Sequence, residues 1–392
     1  MPQPRPFNVI ANPAGPRCNI ACSYCYYLDK TALYPGEQSF RMPPDVLDRF
    51  VREMIAASQE AGMSEVFFTW QGGEPTLSGL AFFQEVVALQ QRYRPAGVRI
   101  SNALQTNGTL LDDAWGAFLK DHRFLVGLSI DGPRDIHDSY RRDRAGRPSF
   151  DAVMRGLDIV RRYEIEFGSL TTIHRKNAAK GKVVYRFLKG LGIRSMQFIP
   201  IVERTGPDGH LAPPPGPGVG PDCPVTGWSV APRAYGKFLC DVFDSWFRGD
   251  VGQIAVQFFS EQVRLWQGHA ASLCVLAETC GRAMALEHNG DLFACDHYVD
   301  PAHRLGNVMQ TPLATMIGAD SQHRFGQDKR DRLTRQCRDC RFLFACNGGC
   351  QKHRFATARD GESGHNYLCE GLLAFFQHAK PGLQSLALGV HR

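Results

Sequence analysis

The sequence predicts an α/β fold, a partial (β/α)6 TIM-like barrel followed by a cysteine-rich domain. Through about the first 200 residues, short runs of β-branched and aromatic residues alternate with longer helical patterns, which favours repeated strand–helix units and a parallel sheet. Eight cysteines then gather between Cys274 and Cys369. That density indicates a separate C-terminal domain built around metal or redox chemistry.

Six strand–helix units are expected in chain order. The strands are Phe7–Ala11, Glu65–Trp70, Val98–Gln105, Phe124–Ile130, Ser169–Ile173 and Met196–Ile199. The helices lie near Asp45–Gln59, Leu80–Arg92, Asp112–Lys120, Phe150–Tyr163 and Ala178–Leu188. Six units favour an open barrel over the closed eight-unit form, with the chemistry at the carboxyl ends of the strands.

The domain boundaries follow changes in composition. Residues 1–204 form the barrel, 205–232 are a Pro/Gly-rich insertion or linker, 233–273 a helical connector and 274–392 the cysteine-rich domain. Within the last, Asn289-Gly290 lies between two short apolar runs and predicts a β-hairpin turn. The Pro-rich part of the insertion, Thr205–Pro221, is longer than a tight barrel connection and would border the active-site mouth.

Composition limits the function classes. A net charge of +6 without long runs of like charge gives no reason to expect a nucleic-acid partner. The apolar stretches fall far short of the roughly 20 residues that a membrane helix needs, and the N-terminus lacks the apolar core of a signal peptide. We therefore expect a cytoplasmic protein without membrane contact. Thirteen cysteines in a reducing compartment indicate metal binding or redox chemistry rather than disulfides.

Three cysteines stand together after the first predicted strand. The run Cys18-Asn-Ile-Ala-Cys22-Ser-Tyr24-Cys25 places three thiolates in one loop, where all of them reach a single inorganic cluster and leave one iron open. A zinc site is the alternative, but zinc favours cysteines two apart and a fourth protein ligand. The spacing, with an aromatic residue before the last cysteine, favours the cluster.

This run resembles the signature of the radical S-adenosylmethionine (SAM) superfamily, whose open iron binds the amino and carboxylate groups of the methionine part. Further motifs follow predicted strands in the expected order: Gln71-Gly-Gly-Glu-Pro, Gln105-Thr-Asn-Gly and Ser129-Ile-Asp-Gly. Each is weak alone, and a single Gly-Gly-Glu is equally a turn. The resemblance implies that the cofactor-binding residues are Tyr24, Gly72, Gly73, Glu74, Asn107 and Ser129.

The C-terminal cysteines are the complement of two four-ligand sites. A zinc ribbon also uses four cysteines per site and stays an alternative. The order of spacings resembles the twin-cluster SPASM domain, which has a hairpin and short helices. The resemblance implies a first auxiliary cluster on Cys274, Cys280, Cys295 and Cys350, and a second on Cys337, Cys340, Cys346 and Cys369. The cofactors are then three [4Fe-4S] clusters and SAM, and Cys223 and Cys240 match no ligand position.

Several stretches resemble the anaerobic sulfatase-maturating enzymes, among them Cys18–Tyr27, Trp70–Pro75, Cys295–His297 and Cys346–Cys350. The resemblance implies that a 5′-deoxyadenosyl radical takes hydrogen from a Cys or Ser of an unfolded or nascent sulfatase polypeptide, giving Cα-formylglycine. It implies a low-potential electron donor such as flavodoxin or ferredoxin, and a monomer is reasonable. Asp296 is the candidate catalytic base.

Some alternatives stay open. One alternative function is another SPASM-type radical peptide maturase, for example one that forms a thioether crosslink, and a second is an electron carrier without catalysis. Asp296 is alternatively a surface carboxylate bonded to local backbone. Tyr26 and Tyr27 either wall a substrate channel or pack. Arg141 and Arg142 either pair with the methionine carboxylate or, by default, form a solvated basic patch.

Overall fold

The computed structural model describes residues 6–215 and 223–390. The strands are β1 Asn8–Asn12, β2 Glu65–Trp70, β3 Arg99–Thr106, β4 Leu125–Ser129, β5 Phe167–Ile173, β6 Ser195–Pro200, β7 Ala255–Val256, β8 Ala283–Glu287, β9 Asp291–Phe293, β10 Arg304–Asn307, β11 Ala356–Thr357 and β12 Ser363–His365. All six strands expected for the barrel are present, with ends that differ by at most two residues from the expected ones.

The α-helices are α1 Pro44–Glu60, α2 Leu80–Tyr93, α3 Asp113–Asp121, α4 Arg134–His137, α5 Phe150–Arg162, α6 Gly181–Gly190, α7 Pro232–Phe247, α8 Gln257–Trp266, α9 Leu313–Ile317, α10 Asp320–Asp331, α11 Arg335–Arg338, α12 Leu343–Cys346 and α13 Cys369–Ala387. Every helix expected from the sequence is among them. Asp112 lies just outside α3 because its carboxylate caps the helix, accepting from the Trp115 amide at 2.9 Å. In the described residues, no helix is both long and apolar enough to cross a membrane.

The chain divides into two compact units. The first comprises the described parts of Met1–Ser129, Arg141–Phe167 and Gly281–Gly326. Its strands follow the order β10-β9-β8-β1-β2-β3-β4. Strands β1 to β4 are parallel, so their carboxyl ends meet at one edge of the sheet.

The predicted hairpin is part of the first unit. Strand β8 pairs in parallel with β1, with Val9 opposite Met284, and β9 turns back antiparallel to β8. Gly290 has φ of +87°, which its turn requires and which a side chain disfavours. The sequence predicted the turn but not that β8 extends the parallel sheet beside β1.

The core of the first unit is aromatic. Along β2 the buried residues alternate, so that Val66, Phe68 and Trp70 face the same side. The Trp70 ring packs edge-on against Phe50 and Phe83. This packing holds the carboxyl end of β2, from which the Gly-Gly-Glu-Pro loop leaves, in a fixed place.

The second unit comprises the described parts of Ile130–Tyr140, Gly168–Cys280 and Gln327–Arg392. Parallel strands β5, β6 and β7 lie side by side in it. Helices α7 and α13 touch backbone to backbone, since a Cβ added to Gly371 would lie 1.9 Å from the Pro232 carbonyl oxygen. Glycine at that crossing therefore allows α13, which begins at Cys369, to pack closely against α7.

The predicted insertion is partly described. Thr205 and Leu211 form an antiparallel bridge, and the Arg204 guanidinium lies 4.7 Å from the Phe355 ring centroid while donating to the Pro213 carbonyl at 2.9 Å. Residues 216–222 of the segment lie outside the described residues. The domain boundaries of 1–204, 205–232, 233–273 and 274–392 stay a prediction.

Candidate functional site

The loop that follows β1 carries the first three cysteines. Cys18 and Cys22 are buried and Cys25 is half-buried, with a turn that joins the Cys25 amide to the Cys22 carbonyl at 2.9 Å. Burial, and after it the charge of Glu74, raise the pKa of Cys18 to about 11. A thiol in this setting ionises only with strong positive charge beside it, which bound iron supplies. Two buried cysteines and one half-buried cysteine in a single loop thus fit an iron cluster.

The two glycines of the Gln71-Gly-Gly-Glu-Pro loop let it lie against the cluster loop. A Cβ on Gly73 would fall 2.1 Å from the Arg17 carbonyl oxygen, and one on Gly72, whose φ is +105°, would fall 3.0 Å from Gly15 O. The Gly73 amide donates to Gly15 O at 2.8 Å, and the Glu74 amide donates to Arg17 O at 2.9 Å. Any side chain here would push the two loops apart.

The Glu74 carboxylate joins this loop to the end of β3. It is fully buried and accepts hydrogen bonds from the Thr76 amide at 3.1 Å, the Thr76 hydroxyl at 2.6 Å, the Thr106 hydroxyl at 2.7 Å and the Asn107 amide at 2.8 Å. Burial nevertheless raises the pKa of Glu74, because four donors offset only part of the lost hydration. Glu74 therefore holds the two predicted cofactor loops in register.

Replacing Glu74 with glutamine tests this register. The Glu74→Gln amide directs an N–H at one of the four donors, so at least one hydrogen bond is lost, at about 1.5–3 kcal/mol for a charged acceptor. We expect the dissociation constant for SAM to rise about tenfold or more, measured by equilibrium binding to iron-loaded protein. Glu85→Gln on the exposed face of α2 is the matched control. Unchanged SAM affinity in iron-replete Glu74→Gln would contradict the role.

The other predicted cofactor residues lie in the same unit. Asn107 donates to Asn19 Oδ1 at 2.8 Å and lies 3.7 Å from the Cys18 sulfur. Ser129 accepts from Gln105 at 3.0 Å. The Tyr24 hydroxyl accepts from Arg141 at 2.8 Å. Tyr24 thus lies within the cluster loop, and Asn107 binds to that loop from the end of β3.

The two arginines downstream of β4 differ. Arg141 is only 6% exposed and its charge lowers the pKa of Cys18, although burial dominates that pKa and raises it. Arg142 is exposed and donates to the Gly146 carbonyl. The expectation of a solvated patch is therefore right for Arg142 and wrong for Arg141, which tertiary packing buries.

Asp296 lies directly after Cys295 at the end of the hairpin. Its Oδ1 is 3.2 Å from the Cys295 sulfur, and the ligand atoms of Cys295, Asp296 and His297 all lie within 4.8 Å of one another. The His297 ring contacts Tyr26 at 5.5 Å between centroids. The carboxylate is half-buried, so it combines contact with a predicted cluster ligand and access from outside.

Tyr27 belongs to a buried hub that the sequence did not reveal. Its ring packs with Ala285, Phe293 and Val299, and its hydroxyl donates to Glu287, which is fully buried. Asn12, at the end of β1, donates to the same carboxylate at 2.8 Å. Packing is thus the established role of Tyr27.

A histidine beside the hub connects it to the surface. His288 Nε2 lies 2.7 Å from Glu37, and a Cβ on Gly15 would fall 2.6 Å from His288 Nδ1. Burial lowers the pKa of His288, but its bonds with Glu287 and Glu37 outweigh burial and raise it. In the sequence, the acidic residue Glu287 directly before His288 was a signal for this buried pair. At a predicted hairpin turn, however, such a residue looks like an ordinary exposed carboxylate.

The second unit contains seven of the eight C-terminal cysteines. Burial, and after it the charge of Cys337, raise the pKa of Cys346 to about 11, and the charges of Cys346, Cys337 and Cys340 add to burial in raising that of Cys369 to about 12. The thiols interact as one group. Cys280 interacts with Cys350 and accepts from Gln351 at 3.2 Å, while Cys274 is exposed. Half-buried thiols grouped in this way fit metal clusters.

The two unmatched cysteines lie elsewhere in the second unit. Cys240 is half-buried in α7, where burial raises its pKa to about 11. Cys223 is half-buried in the described end of the insertion. Neither enters a group of thiols in the described part of the chain.

Two family models match the chain. Residues 12–188 match the Radical SAM superfamily, and residues 274–341 match SPASM, an iron–sulfur cluster-binding domain. Both expectations drawn from the motifs are confirmed, as is the class of cofactors.

Curated relatives match over nearly the whole chain. The serine-type anaerobic sulfatase-maturating enzyme of Bacteroides thetaiotaomicron is 40% identical over 97% of this chain and 91% of its own length. That of Klebsiella aerogenes is 36% identical over 95% and 85%. The cysteine-type enzyme of Clostridium perfringens is 30% identical over 97% and 98%.

The fold agrees with a solved structure described as native anSMEcpe with bound AdoMet. It superimposes with a TM-score of 0.84 at 29% identity, covering 98% of this chain and 100% of that one. The predicted α/β class, a partial barrel followed by a cysteine-rich domain, is confirmed. Identity of 40% across the full length, with both domain models in their expected places, makes this chain a member of the anaerobic sulfatase-maturating enzymes of the radical SAM superfamily.

Proposed function

We propose that this protein oxidises a Ser or Cys of a sulfatase polypeptide to Cα-formylglycine without oxygen. The observation that carries the proposal is sequence identity of 40% to a serine-type and 30% to a cysteine-type sulfatase-maturating enzyme, each over 97% of this chain. The joined cluster and Gly-Gly-Glu-Pro loops support it, because they form one rigid seat for a cofactor. The substrate is an unfolded or nascent chain, since the residue to be oxidised must enter the site.

In this proposal Cys18, Cys22 and Cys25 hold the first cluster. The residues that shape the SAM site are Tyr24, Gly72, Gly73, Glu74, Asn107 and Ser129. When bound and reduced, the cofactors supply the 5′-deoxyadenosyl radical that takes a hydrogen atom from the substrate's β-carbon. The hydrogen bonds of Glu74 and Asn107 join the Gly-Gly-Glu-Pro loop, the end of β3 and the cluster loop, and so hold the cofactor site in one arrangement.

Asp296 is the proposed base. After hydrogen abstraction the substrate must lose one proton and one electron to become the aldehyde, or the thioaldehyde that water hydrolyses. Asp296 would accept the proton, and an auxiliary cluster held by the C-terminal cysteines would supply the electron acceptor. The carboxylate's place beside Cys295 supports the pairing of both transfers.

The auxiliary ligands are proposed as two sets. Cys274, Cys280, Cys295 and Cys350 hold one cluster, and Cys337, Cys340, Cys346 and Cys369 hold the other. The grouping of the second set's thiols supports iron or zinc alike. The SPASM match favours iron. We further propose domain boundaries at 204, 232 and 273.

The setting is also proposed. A low-potential donor such as flavodoxin or ferredoxin delivers electrons, and the protein acts as a monomer in the cytoplasm, without nucleic-acid or membrane partners. Thirteen cysteines without a disulfide among the described residues fit a reducing compartment.

Turnover of paired sulfatase-derived peptides, identical except for Ser or Cys at the target position, tests the function. The Ser peptide is expected to lose two hydrogens, and the Cys peptide to lose two hydrogens and exchange its sulfur for an aldehyde oxygen, as mass spectrometry and carbonyl labelling record. The same peptide with Ala at the target is the control. A thioether crosslink would favour the other peptide maturase, and 5′-deoxyadenosine without a changed peptide would exclude sulfatase maturation.

A further inference from the structure

Two cations are buried among the C-terminal cysteines of the second unit. Lys329, in α10, is 1% exposed to solvent, and Arg354 is 8% exposed. In the described residues neither forms an ion pair with a carboxylate, and all their hydrogen bonds run to backbone carbonyls. A buried charge without a counter-ion is costly, so another negative group is expected beside it.

Apart from the Lys329 carbonyl in α10, which accepts from Arg354, the carbonyls that bind the two cations come from loops between cysteines. The Lys329 ammonium donates to the Ala277 carbonyl, between Cys274 and Cys280, and to that of Asn347 at 3.4 Å. Arg354 donates to Asn347 at 2.9 Å and to Gly348 at 3.1 Å. The two cations thus hold the loops that present the cysteines.

The run from Cys346 to Cys350 is folded around these cations. Asn347, Gly348 and Gly349 all have positive φ, of 45°, 68° and 62°. A Cβ on Gly348 would lie 2.6 Å from the Arg354 guanidinium. Three left-handed residues in succession are strained for any chain with side chains, and here they turn two carbonyls toward Arg354.

The charges of the cations and thiols affect each other. Burial and Arg354 lower the pKa of Lys329, while Cys280, Cys346 and Cys350 raise it. Burial lowers the pKa of Arg354, while Cys337, Cys350 and Cys346 raise it. Both cations also donate to the Asn347 carbonyl, in the run between Cys346 and Cys350, which belong to different proposed ligand sets.

We propose that Lys329 and Arg354 are positioning residues that raise the reduction potentials of the auxiliary clusters. A cluster held by four thiolates is negative and becomes more negative by one charge when it accepts an electron. A fixed cation in a medium of low dielectric stabilises the reduced form more than the oxidised form. The inference rests on the proposed function: the electron that leaves the substrate as Asp296 takes the proton is accepted more readily, and then passes to the protein redox partner.

A redox titration of the auxiliary clusters tests the inference. The parent protein for this titration is the full chain with Cys18→Ala, Cys22→Ala and Cys25→Ala. In this parent, electron paramagnetic resonance detects the auxiliary clusters alone. Lys329→Gln, which keeps an N–H donor but no charge, is compared with Lys329→Arg, and Arg354→Gln with Arg354→Lys. Lys237→Gln, an exposed lysine of α7 paired with Asp241, controls for net charge.

Both neutral variants are expected to titrate at more negative potential. At the midpoint potential of the parent, the ratio of reduced to oxidised auxiliary cluster should fall roughly tenfold, which is the effect expected from removing one buried charge at moderate distance. The charge-keeping variants and Lys237→Gln stay at the parent value. Loss of iron in the neutral variants alone also supports a requirement for charge.

Two results would overturn the inference. The first is a neutral variant that keeps its iron and has the same midpoint potential as the charge-keeping variant at the same position. The second is equal loss of iron in the neutral and the charge-keeping variants, which would show that the residues serve packing. The titration contains neither SAM nor peptide. Failed peptide turnover with shifted potentials would therefore remove the sulfatase role and leave the tuning intact.

Discussion

The Cys22→Ala variant is expected to make no 5′-deoxyadenosine. Cys22 is one of the three cysteines in the loop after β1, and two thiolates do not hold a cluster that keeps one iron open. The variant should retain about eight of about twelve irons per chain, because the auxiliary cysteines are untouched. Anaerobic reconstitution, iron and sulfide analysis, and chromatography of SAM cleavage products measure both effects.

Cys240→Ala is the matched control for this experiment. Cys240 is a half-buried cysteine of α7 that enters no group of thiols in the described residues, so iron content and 5′-deoxyadenosine should match the parent. If Cys22→Ala formed 5′-deoxyadenosine at the parent rate, the N-terminal loop would not be the site of SAM cleavage, and the assignment of the whole barrel edge would fail.

Replacing Asp296 with asparagine is expected to separate radical formation from product formation. The amide keeps the size and hydrogen bonding of the carboxylate but does not accept the proton, so formylglycine formation should fall about a hundredfold or more. Formation of 5′-deoxyadenosine should persist, because the cluster loop is intact. The informative quantity is the ratio of 5′-deoxyadenosine to formylglycine, which should rise.

Asp339→Asn provides the control. Asp339 also lies directly beside a cysteine, Cys340, but it is exposed. Its loss should leave the ratio of the two products unchanged. Parent-level formylglycine from Asp296→Asn would show that Asp296 is an ordinary hairpin carboxylate and that another group takes the proton.

The strand–helix pattern and the motifs were predictable because they are local. Hydrophobic periodicity identified all six barrel strands, and the resemblance to the radical SAM motif singled out Gly73. The hairpin turn at Asn289-Gly290 followed from turn chemistry alone. These features depend on residues that are neighbours in sequence.

Partners distant in sequence were not predictable. Glu287 bonds to Tyr27 across 260 residues, and Arg141 bonds to Tyr24 across 117. Nothing near either residue announces the partner, and a lone Arg or Glu reads as a solvated side chain. Burial decides such roles, and burial is a property of the folded chain.

By itself, the sequence determined the order of elements, the cysteine spacings and, through resemblance, the family. Tertiary structure alone decided that β8 lies beside β1, that Glu74 binds the end of β3, and that Lys329 and Arg354 are buried cations among the C-terminal cysteines. The physical reason is range. Periodicity and turn preferences act over a few residues, whereas the environment of a charge depends on every segment that folding brings around it.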